Sequence, residues 1–599
     1  MEDAENISAS KSNEGERRSA TLDSRWSEQR LKKIVPILLC FIVGLGLFMR
    51  IWGIGWSLPD QRHPLATYHP DERINLSAAQ SVDIGHLNFD THFYNYGTFY
   101  FYLVSLSQTI GQTYGWIPKT QASPELSPIE RMQRTQPELA GLFLAGRVVT
   151  ALMGTLTILI LYLLGKQLYN RQTGLLAALL YAIAPLAAVH SHYLTVDVPV
   201  TLFVTLALWQ SARIVSVISK RDEVVAPQSV KLLWREVLFS GVWVGLAGAT
   251  KYTAATVLIA PVVSIILLNK KPLEPSKLPK TPVALVALFG VAVLTFLIAC
   301  PGVWLNWHSF WEGEYPGSGL RYELFEHSRS GHGLLFVHTG LGWVYHLTVS
   351  APYGLGIPLL LLTLLGIGLA FFRRTPGDWI LLIFLLLSFG LTGLSAVRFA
   401  RYLIPLFPAL CLLGARVTLE PYCTKILRRI FLVFGLFVIL ITFVYSFSLV
   451  RAFTIPDPRD VAYDYLNHTA HMGASVAFSR TPWFFSPPLS VYFGAPNPQT
   501  RASAGEHTTR YQLRIPSQEW DVSLLTTSPD YVILSSFETQ QEVNRLHLPT
   551  TTPFLDFLKM NYSVVSFAPP VVFGLNRQDP NLPEDLLYDL PVILIYEKK

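Results

Sequence analysis

Apolar and polar positions divide the chain into three parts of different character. Residues 1–33 are polar and rich in charge, residues 34–450 contain long apolar runs, and residues 451–599 have the mixed pattern of a globular protein. Hydrocarbon offers the peptide backbone no hydrogen-bond partner, so a membrane-spanning segment needs a helix of about 20 mostly apolar residues. The pattern therefore predicts a polar tail, a membrane body and a soluble C-terminal domain.

Eleven apolar runs have the length of a membrane helix and predict a mainly α, polytopic membrane protein. They cover residues 34–52, 141–164, 173–190, 194–216, 237–250, 252–268, 282–304, 352–372, 378–397, 402–419 and 430–450. The C-terminal domain is predicted to be α/β, because a helical pattern there precedes several strand-like runs. The helical pattern lies near Asp460–His468, and the strand-like runs are Ala474–Phe478, Tyr531–Leu534 and Val592–Tyr596.

Lysine and arginine mark every second connection between the runs, and short cytoplasmic connections are the ones that carry such residues. Arg30, Lys32 and Lys33 precede the first run, so we expect a cytoplasmic N-terminus. Eleven spans then place the C-terminal domain on the extracytoplasmic side, with two long loops at residues 53–140 and 305–351. The other basic connections contain Lys166, Arg171, Lys220, Arg221, Lys231, Arg235, Lys270, Lys271, Lys277, Lys280, Arg373, Arg374, Lys425, Arg428 and Arg429.

Residues 237–268 lie between two basic connections and are too long for one ordinary span. A single span would put those connections on opposite sides of the membrane. We therefore predict two short helices that meet near Thr250-Lys251-Tyr252, with Lys251 close to the extracytoplasmic surface. The alternative is one long tilted helix from which the Lys251 side chain reaches the interface.

Composition agrees with a membrane protein, because 15% of the residues are charged and soluble proteins contain about 25%. The net charge of +6 does not indicate a nucleic-acid partner, because no basic stripe lies on a soluble module. Residues 451–599 contain no cysteine. A disulfide-free extracytoplasmic domain favours a bacterial envelope over a eukaryotic secretory compartment, so we expect the bacterial inner membrane.

The first candidate site residues are the acids of His69-Pro70-Asp71-Glu72 in the first loop. A carboxylate near the membrane surface can act as a general base for the transfer of a group to a hydroxyl. Proline and two acids also suit the first turn of a helix. A capped loop helix with solvated carboxylates is therefore the alternative.

A second candidate is the turn His190-Ser191-His192-Tyr193-Leu194-Thr195-Val196-Asp197. Asp197 lies just inside an apolar run, where an ionisable side chain needs a partner or a polar cavity. His190 and His192 are two residues apart and do not share a helix face. The pattern favours polar site lining over a metal centre, and no metal is predicted.

Four cations complete the candidates: Arg147, Lys251, Arg398 and Arg401. All four map to the extracytoplasmic side or half of the membrane body, against the usual charge bias. Each therefore needs an anionic partner, and a lipid phosphate would suit arginine and lysine. The alternative is an internal ion pair, for example between Asp197 and Lys251 or an arginine.

The order of these motifs resembles bacterial members of glycosyltransferase family 39 in the GT-C superfamily, which is related to protein O-mannosyltransferases and the lipid A aminoarabinose transferase. The resemblance covers residues 34–450. Its carriers are Tyr68-His69-Pro70-Asp71-Glu72, Tyr94-Asn95-Tyr96-Gly97, Arg147-Val148-Val149-Thr150-Ala151, His192-Tyr193-Leu194-Thr195-Val196-Asp197-Val198-Pro199, Ala249-Thr250-Lys251-Tyr252-Thr253-Ala254 and Arg401-Tyr402-Leu403-Ile404-Pro405.

The resemblance implies that a sugar is transferred from a polyprenyl-phosphate donor. The transfer takes place outside the cytoplasm and inverts the configuration at the anomeric carbon. It makes Asp71 the catalytic base, with Glu72 as its neighbour, and assigns the lipid phosphate to Lys251 and Arg401. We also expect Arg398 and Arg147 near the phosphate. The expected site lining is His69, Tyr96, His190, His192, Asp197, Tyr252 and Tyr402.

The acceptor does not follow from the resemblance and is a protein, a lipid or a glycan. We expect the C-terminal domain to restrict acceptor access rather than to supply the base. A transporter or flippase of lipid-linked substrates is the alternative function, because charges inside the membrane and broken helices occur there too. A third hypothesis is that the protein is a non-catalytic scaffold or receptor.

Overall fold

A computed structural model describes residues 33–120, 125–219, 227–268, 280–330, 332–420, 422, 424–507, 510–540, 546–577 and 579–599. Most of the predicted cytoplasmic tail lies outside these residues. The same holds for several basic residues used to predict the orientation, namely Arg30, Lys32, Lys220, Arg221, Lys270, Lys271 and Lys277.

The described part of the chain is mainly α-helical, as the sequence predicts. The helices before the second loop are α1 (Lys33–Ile51), α2 (Pro70–Gln80), α3 (Phe99–Thr113), α4 (Pro128–Leu168), α5 (Arg171–Ala182), α6 (Pro185–Val189), α7 (Asp197–Ser219), α8 (Pro227–Thr250), α9 (Ile259–Leu268) and α10 (Thr281–Ala299). The later ones are α11 (Gly302–Leu305), α12 (Trp307–Trp311), α13 (His327–Ser330), α14 (Gly342–Tyr345), α15 (Ala351–Leu355), α16 (Ile357–Arg373), α17 (Pro376–Leu394), α18 (Phe407–Leu419), α19 (Lys425–Arg451), α20 (Pro458–Thr469), α21 (Pro498–Ala502), α22 (Val522–Thr526), α23 (Ser536–Glu538) and α24 (Thr551–Asn561).

Eight of the described helices are long and apolar enough to cross a membrane, and two bent helix pairs raise that number to 10. The bent pairs break at 64° between α5 and α6 and at 118° before α16. The remaining predicted run forms a shorter apolar helix, Tyr252–Leu267. Each predicted run therefore has a helical counterpart, and the chain is a multi-pass membrane protein.

Helix α4 begins earlier than the apolar pattern predicts, at Pro128 instead of residue 141. Ser127 and Glu130 form a reciprocal capping box, and Pro128 occupies the first helical position. These residues stabilise a helix start even though the following residues are polar. The polar stretch of the first loop is therefore partly an extension of a membrane helix.

Residues 237–268 do not form one continuous helix. Helix α8 ends at Thr250, Lys251 has an extended backbone, and a 3₁₀ turn over Tyr252–Leu258 leads into α9. The predicted break therefore lies at Lys251. The extended backbone at this position releases the side chain from the helix, so that its ammonium group reaches an acid on α7.

A five-stranded sheet forms the centre of the C-terminal region, in the order β2-β1-β3-β5-β4. Strand β1 pairs in parallel with β2 and β3, whereas β5 pairs antiparallel with β3 and β4. Three strands match the predicted runs, and β2 and β4 were not predicted. The strands are β1 (Ala474–Phe478), β2 (Tyr511–Arg514), β3 (Tyr531–Ser535), β4 (Tyr562–Phe567) and β5 (Ile593–Lys598).

The segment before β5, residues 579–590, packs against the membrane-spanning helices; we call it the docking segment. Its apolar side chains belong to the same buried cluster as those of the spans. Tyr353 donates a hydrogen bond to Asp579, and Arg459 donates one to the carbonyl oxygen of Tyr588 at 2.7 Å. The docking segment thereby carries its own polar residues, among them Asp585, to the ends of the spans.

Candidate active site

Two neighbouring acids of the first loop point in different directions. Helix α2 begins at Pro70, so Asp71 and Glu72 both lie in its first turn, and successive helical residues are rotated by about 100°. The Asp71 side chain is 24% exposed, whereas Glu72 is completely buried. The helix therefore separates the two candidate acids into two different environments.

Glu72 forms a buried ion pair with Arg147 of α4. Both carboxylate oxygens accept hydrogen bonds from the guanidinium group, at 2.8 and 2.7 Å, and Thr67 and the amide of Leu194 donate two more. Burial alone would raise the pKa of Glu72, but the charge and hydrogen bonds of Arg147 outweigh it and lower that pKa. Glu72 is therefore a stable anion that ties the first loop to the spans.

The remaining donors of Arg147 are also used inside the protein, because its Nη1 atom donates to the carbonyl oxygens of Ile54 and Trp56. The side chain has no exposed surface. This geometry favours the internal ion pair over the phosphate role expected for Arg147. It likewise favours a structural role for Glu72 over a catalytic one.

Arg401, in the turn before α18, is the centre of a cluster of carboxylates. Its Nη2 atom lies 3.0 Å from Asp71, and its Nη1 atom lies 3.0 Å from Asp585. Its Nε atom is 3.8 Å from Asp197 at the start of α7. Arg401 therefore joins an acid of the first loop, an acid of a span and an acid of the C-terminal region.

Lys251 continues this cluster toward the interior of the spans. Its ammonium group lies 2.6 Å from the second oxygen of Asp197. The same group stands 4.2 Å from the ring centre of Tyr402 and 5.9 Å from that of Tyr96, and aromatic faces attract cations at such distances. The internal pair of Asp197 and Lys251, an alternative in the sequence, is present in the structure.

Asp585 was not among the residues singled out in the sequence. It is completely buried, and besides Arg401 it accepts a hydrogen bond from the Ala400 amide at 2.6 Å. The Nε2 atom of His190 lies 3.5 Å from it. The C-terminal region therefore contributes an acid to the cluster, although not the acid expected to act as base.

A cavity of about 250 Å³ opens beside Lys251. Its lining includes the predicted residues Tyr96, Tyr252 and Tyr402. The single hydroxyl hydrogen of Tyr252 lies between the carbonyl oxygens of Tyr94 and Tyr96, at O···O distances of 3.0 and 2.8 Å, which holds the first loop at this wall. Polar side chains line one part of the cavity and apolar side chains of the spans another: Asn95, Glu323 and His327 on the one hand, Val204, Phe384, Leu391 and Leu406 on the other.

His69 and His190 lie next to the carboxylate cluster. The His69 ring packs 4.3 Å from the ring of Tyr193 and 4.7 Å from that of Tyr588, and burial holds its pKa well below the usual value. Its Nδ1 atom accepts a hydrogen bond from the backbone N–H of Asp71 at 3.3 Å. A neutral His69 therefore caps the helix that carries Asp71.

Two other predicted residues lie apart from the cluster. His192 bonds to the carbonyl oxygen of Trp52 at 3.0 Å and stacks on Phe453 at 4.3 Å, which is a packing role. Arg398 donates to Thr339 and to the carbonyl oxygen of Gly340. The structure thus brings together Asp71, Asp197, Lys251, Arg401, His69, His190 and the three tyrosines, but not Glu72, Arg147, His192 or Arg398.

Among the described residues, Asp90, His92 and Glu314 are close enough to share a cation. Their ligand atoms lie within 4.8 Å of one another. His92 is hydrogen-bonded to Glu314 at 2.8 Å, and Asp90 accepts hydrogen bonds from Tyr94 and Asn306. These internal bonds account for the cluster as a link between the first and second loops.

Residues 141–297 match the family model described as dolichyl-phosphate-mannose-protein mannosyltransferase. The matched range contains Arg147, Asp197 and Lys251. It agrees with the resemblance to the GT-C superfamily drawn from the motifs. A search of curated proteins gave no match.

Three of the solved structures that the chain matches are the following. The apo oligosaccharyltransferase of Archaeoglobus fulgidus is 13% identical, with 92% of this chain and 75% of that chain covered and a TM-score of 0.47. ArnT from Cupriavidus metallidurans bound to undecaprenyl phosphate is 12% identical, covering 93% and 97%, with a TM-score of 0.44. The S. cerevisiae Pmt1-Pmt2 complex bound to the sugar donor is 13% identical, covering 45% and 34%, with a TM-score of 0.31.

Proposed function

We propose that the chain transfers a hexose or pentose from a polyprenyl-phosphate donor to an acceptor hydroxyl, with inversion, on the extracytoplasmic face of the membrane. The observation that carries this proposal is the position of Asp71. It is the partly exposed acid of the cluster, and it is linked through Arg401 and then Asp197 to Lys251, which lines the cavity. A base and a phosphate-binding cation thus lie in one site.

The cavity suits a donor that has an apolar tail, one charge and a polar head. Apolar side chains of the spans would receive the first prenyl units, and Lys251 would bind the phosphodiester as a point charge. The sugar would then face Asn95, Glu323 and His327. Glu323 accepts hydrogen bonds from both neighbours, at 3.0 and 2.9 Å, and a carboxylate keeps further lone pairs for sugar hydroxyls.

The reaction needs one base and stabilisation of one leaving group. Asp71 takes the proton of the acceptor hydroxyl, and the hydroxyl oxygen forms a bond to the anomeric carbon from the face opposite the phosphate. The bond from that carbon to the phosphate oxygen breaks, and its electron pair stays on the phosphate. Lys251 and Arg401 stabilise the developing charge, and polyprenyl phosphate leaves.

The convergence of three chain segments supports the proposed sidedness. Asp71 comes from the first loop, Glu323 from the second loop and Asp585 from the docking segment. All three segments were expected on the extracytoplasmic side, and all three meet around one end of the spans. A bacterial inner membrane with a cytoplasmic N-terminus is the orientation that we propose.

Asp71→Asn tests the proposal directly. Envelope membranes containing the protein are incubated with polyprenyl-phosphate-linked sugars, and transfer to protein, lipid and glycan fractions is measured. Removal of a general base is expected to slow transfer by about 10²- to 10⁴-fold, while binding of undecaprenyl phosphate persists. The matched control is Asp83→Asn, an exposed acid just after α2, and it should transfer normally. Normal transfer by Asp71→Asn would contradict the proposal.

A further inference from the structure

The docking segment places a buried carboxylate against the guanidinium that the donor phosphate is expected to approach. Asp585 lies 3.0 Å from Arg401 and has no exposed surface. Its other carboxylate oxygen accepts a hydrogen bond at 2.6 Å from the backbone N–H of Ala400, the residue that precedes Arg401. The contact is therefore directed by two hydrogen bonds, and it joins the C-terminal region to the centre of the proposed transfer site.

The cluster contains more acids than bases. Asp71, Asp197 and Asp585 surround Arg401, and Lys251 is paired with Asp197. With these five groups charged and the imidazole of His190 neutral, three carboxylates face two cations, so the cluster is negative by one charge. Screening is weak at such burial, and a phosphodiester would add a further negative charge. Donor binding therefore requires that one carboxylate give up its cation.

The three carboxylates are not equally able to leave. Asp197 is fixed on α7 and also pairs with Lys251, and Asp71 is needed beside the acceptor as base. Asp585 belongs to a separate segment that ends at strand β5. We propose that Asp585 is a positioning residue that competes with the donor phosphate for Arg401. When the donor binds, its phosphate replaces Asp585 on the Nη1 edge of Arg401.

The exchange has a consequence for the order of events. Release of Asp585 loosens the docking segment above Asp71, which opens the approach for the acceptor after the donor has bound. The product is a phosphomonoester, which carries more negative charge than the donor diester. The return of Asp585 to Arg401 then helps to expel this product.

The inference rests on the proposed function, and its test is the affinity for undecaprenyl phosphate, measured on the full-length protein in detergent or nanodiscs. Asp585→Asn removes the competing charge and keeps the shape. It should tighten binding about ten- to a hundredfold, the value of a charge-assisted hydrogen bond. In transfer assays both the KM for the donor and kcat should fall, because the product leaves slowly.

Two variants separate competition from a general loosening of the segment. Asp585→Glu keeps the charge and should bind undecaprenyl phosphate like the wild type. Asp579→Asn removes another acid of the docking segment, one that bonds to Tyr353, and should also leave the affinity unchanged. Tighter binding in Asp579→Asn as well, or unchanged or weaker binding in Asp585→Asn, would overturn the inference.

Lys251→Met distinguishes failure of the inference from failure of the proposed function. If Lys251→Met loses affinity while Asp585→Asn has wild-type affinity, the phosphate binds at the cluster and only the competition is disproved. If Lys251→Met binds undecaprenyl phosphate normally, the phosphate does not bind at this cluster. Both proposals then fall.

Discussion

Arg147 and Glu72 hold each other through two parallel hydrogen bonds, with no exposed surface on either side chain. Removal of one partner of such a pair leaves an uncompensated buried charge, which costs about 3–5 kcal/mol. Glu72→Gln should therefore lower the thermal unfolding midpoint of the detergent-solubilised protein strongly. The double variant Glu72→Gln with Arg147→Met should recover part of the loss. A stable Glu72→Gln protein without transfer activity would instead restore the catalytic role.

Lys251 should contribute more to phosphate binding than any other cation on the membrane side of the cluster. Lys251→Met removes the charge and keeps much of the side chain, and it should weaken undecaprenyl phosphate binding by about ten- to a hundredfold. Arg398→Met is the matched control, because Arg398 bonds to Thr339 and Gly340 away from the cluster. Equal losses in the two variants would argue for a diffuse electrostatic effect.

Glu323 should contribute to binding of the donor's sugar and not to binding of its lipid. Glu323→Gln should raise the KM for the sugar-bearing donor by about tenfold, since a hydrogen bond to a charged group is lost. Its affinity for undecaprenyl phosphate, which has no sugar, should stay at the wild-type value. Glu312→Gln changes an exposed acid of the same loop and should affect neither quantity. Weaker binding of both ligands to Glu323→Gln would place Glu323 at the phosphate.

Asp589 of the docking segment should make stability depend on pH. Burial raises the pKa of Asp589 to about 8, whereas an unfolded aspartate has a pKa of about 4. Between these values the folded protein keeps a proton that the unfolded chain has lost, so this group lowers stability as the pH rises. Asp589→Asn has no such proton, and its thermal midpoint should exceed that of the wild type increasingly from pH 5 to pH 8.

The exposed Asp556 of α24 provides the comparison. The difference between Asp556→Asn and the wild type should be small and similar at each pH. A difference for Asp589→Asn that does not change between pH 5 and pH 8 would show that the Asp589 carboxyl titrates alike in the folded and unfolded chains.

The membrane helices could be predicted because their signal is local. An apolar run such as that of α7 is a helix wherever it meets hydrocarbon, since its backbone has no other partner there. The early start of α4 was also readable, because Ser127-Pro128-Ile129-Glu130 has the spacing of a capping box. The apolar pattern missed it because the residues before 141 are polar.

The site was only partly predictable. Asp197, Lys251 and Arg401 were found through their unusual positions in an apolar body, and Asp71 through its place in the first loop near the membrane surface. The structure brings these four residues together. The sequence could not show which of Asp71 and Glu72 contacts Arg401, because this depends on where α2 packs. Asp585 lies 184 residues from Arg401, and no local pattern marks it as a partner.

Helix α4 is long enough to support the first loop as well as to cross the membrane. At about 1.5 Å per residue, the 41 residues of α4 have a length roughly twice the thickness of the hydrocarbon layer. The first loop is hydrogen-bonded to this helix at two places. Gln112 and Thr120 donate hydrogen bonds to Glu138, and Gln108 donates one to the Leu142 carbonyl oxygen. The first loop, which carries Asp71, is therefore anchored by side-chain hydrogen bonds to a helix that continues into the membrane body, so a change in α4 at Glu138 would reach the loop directly.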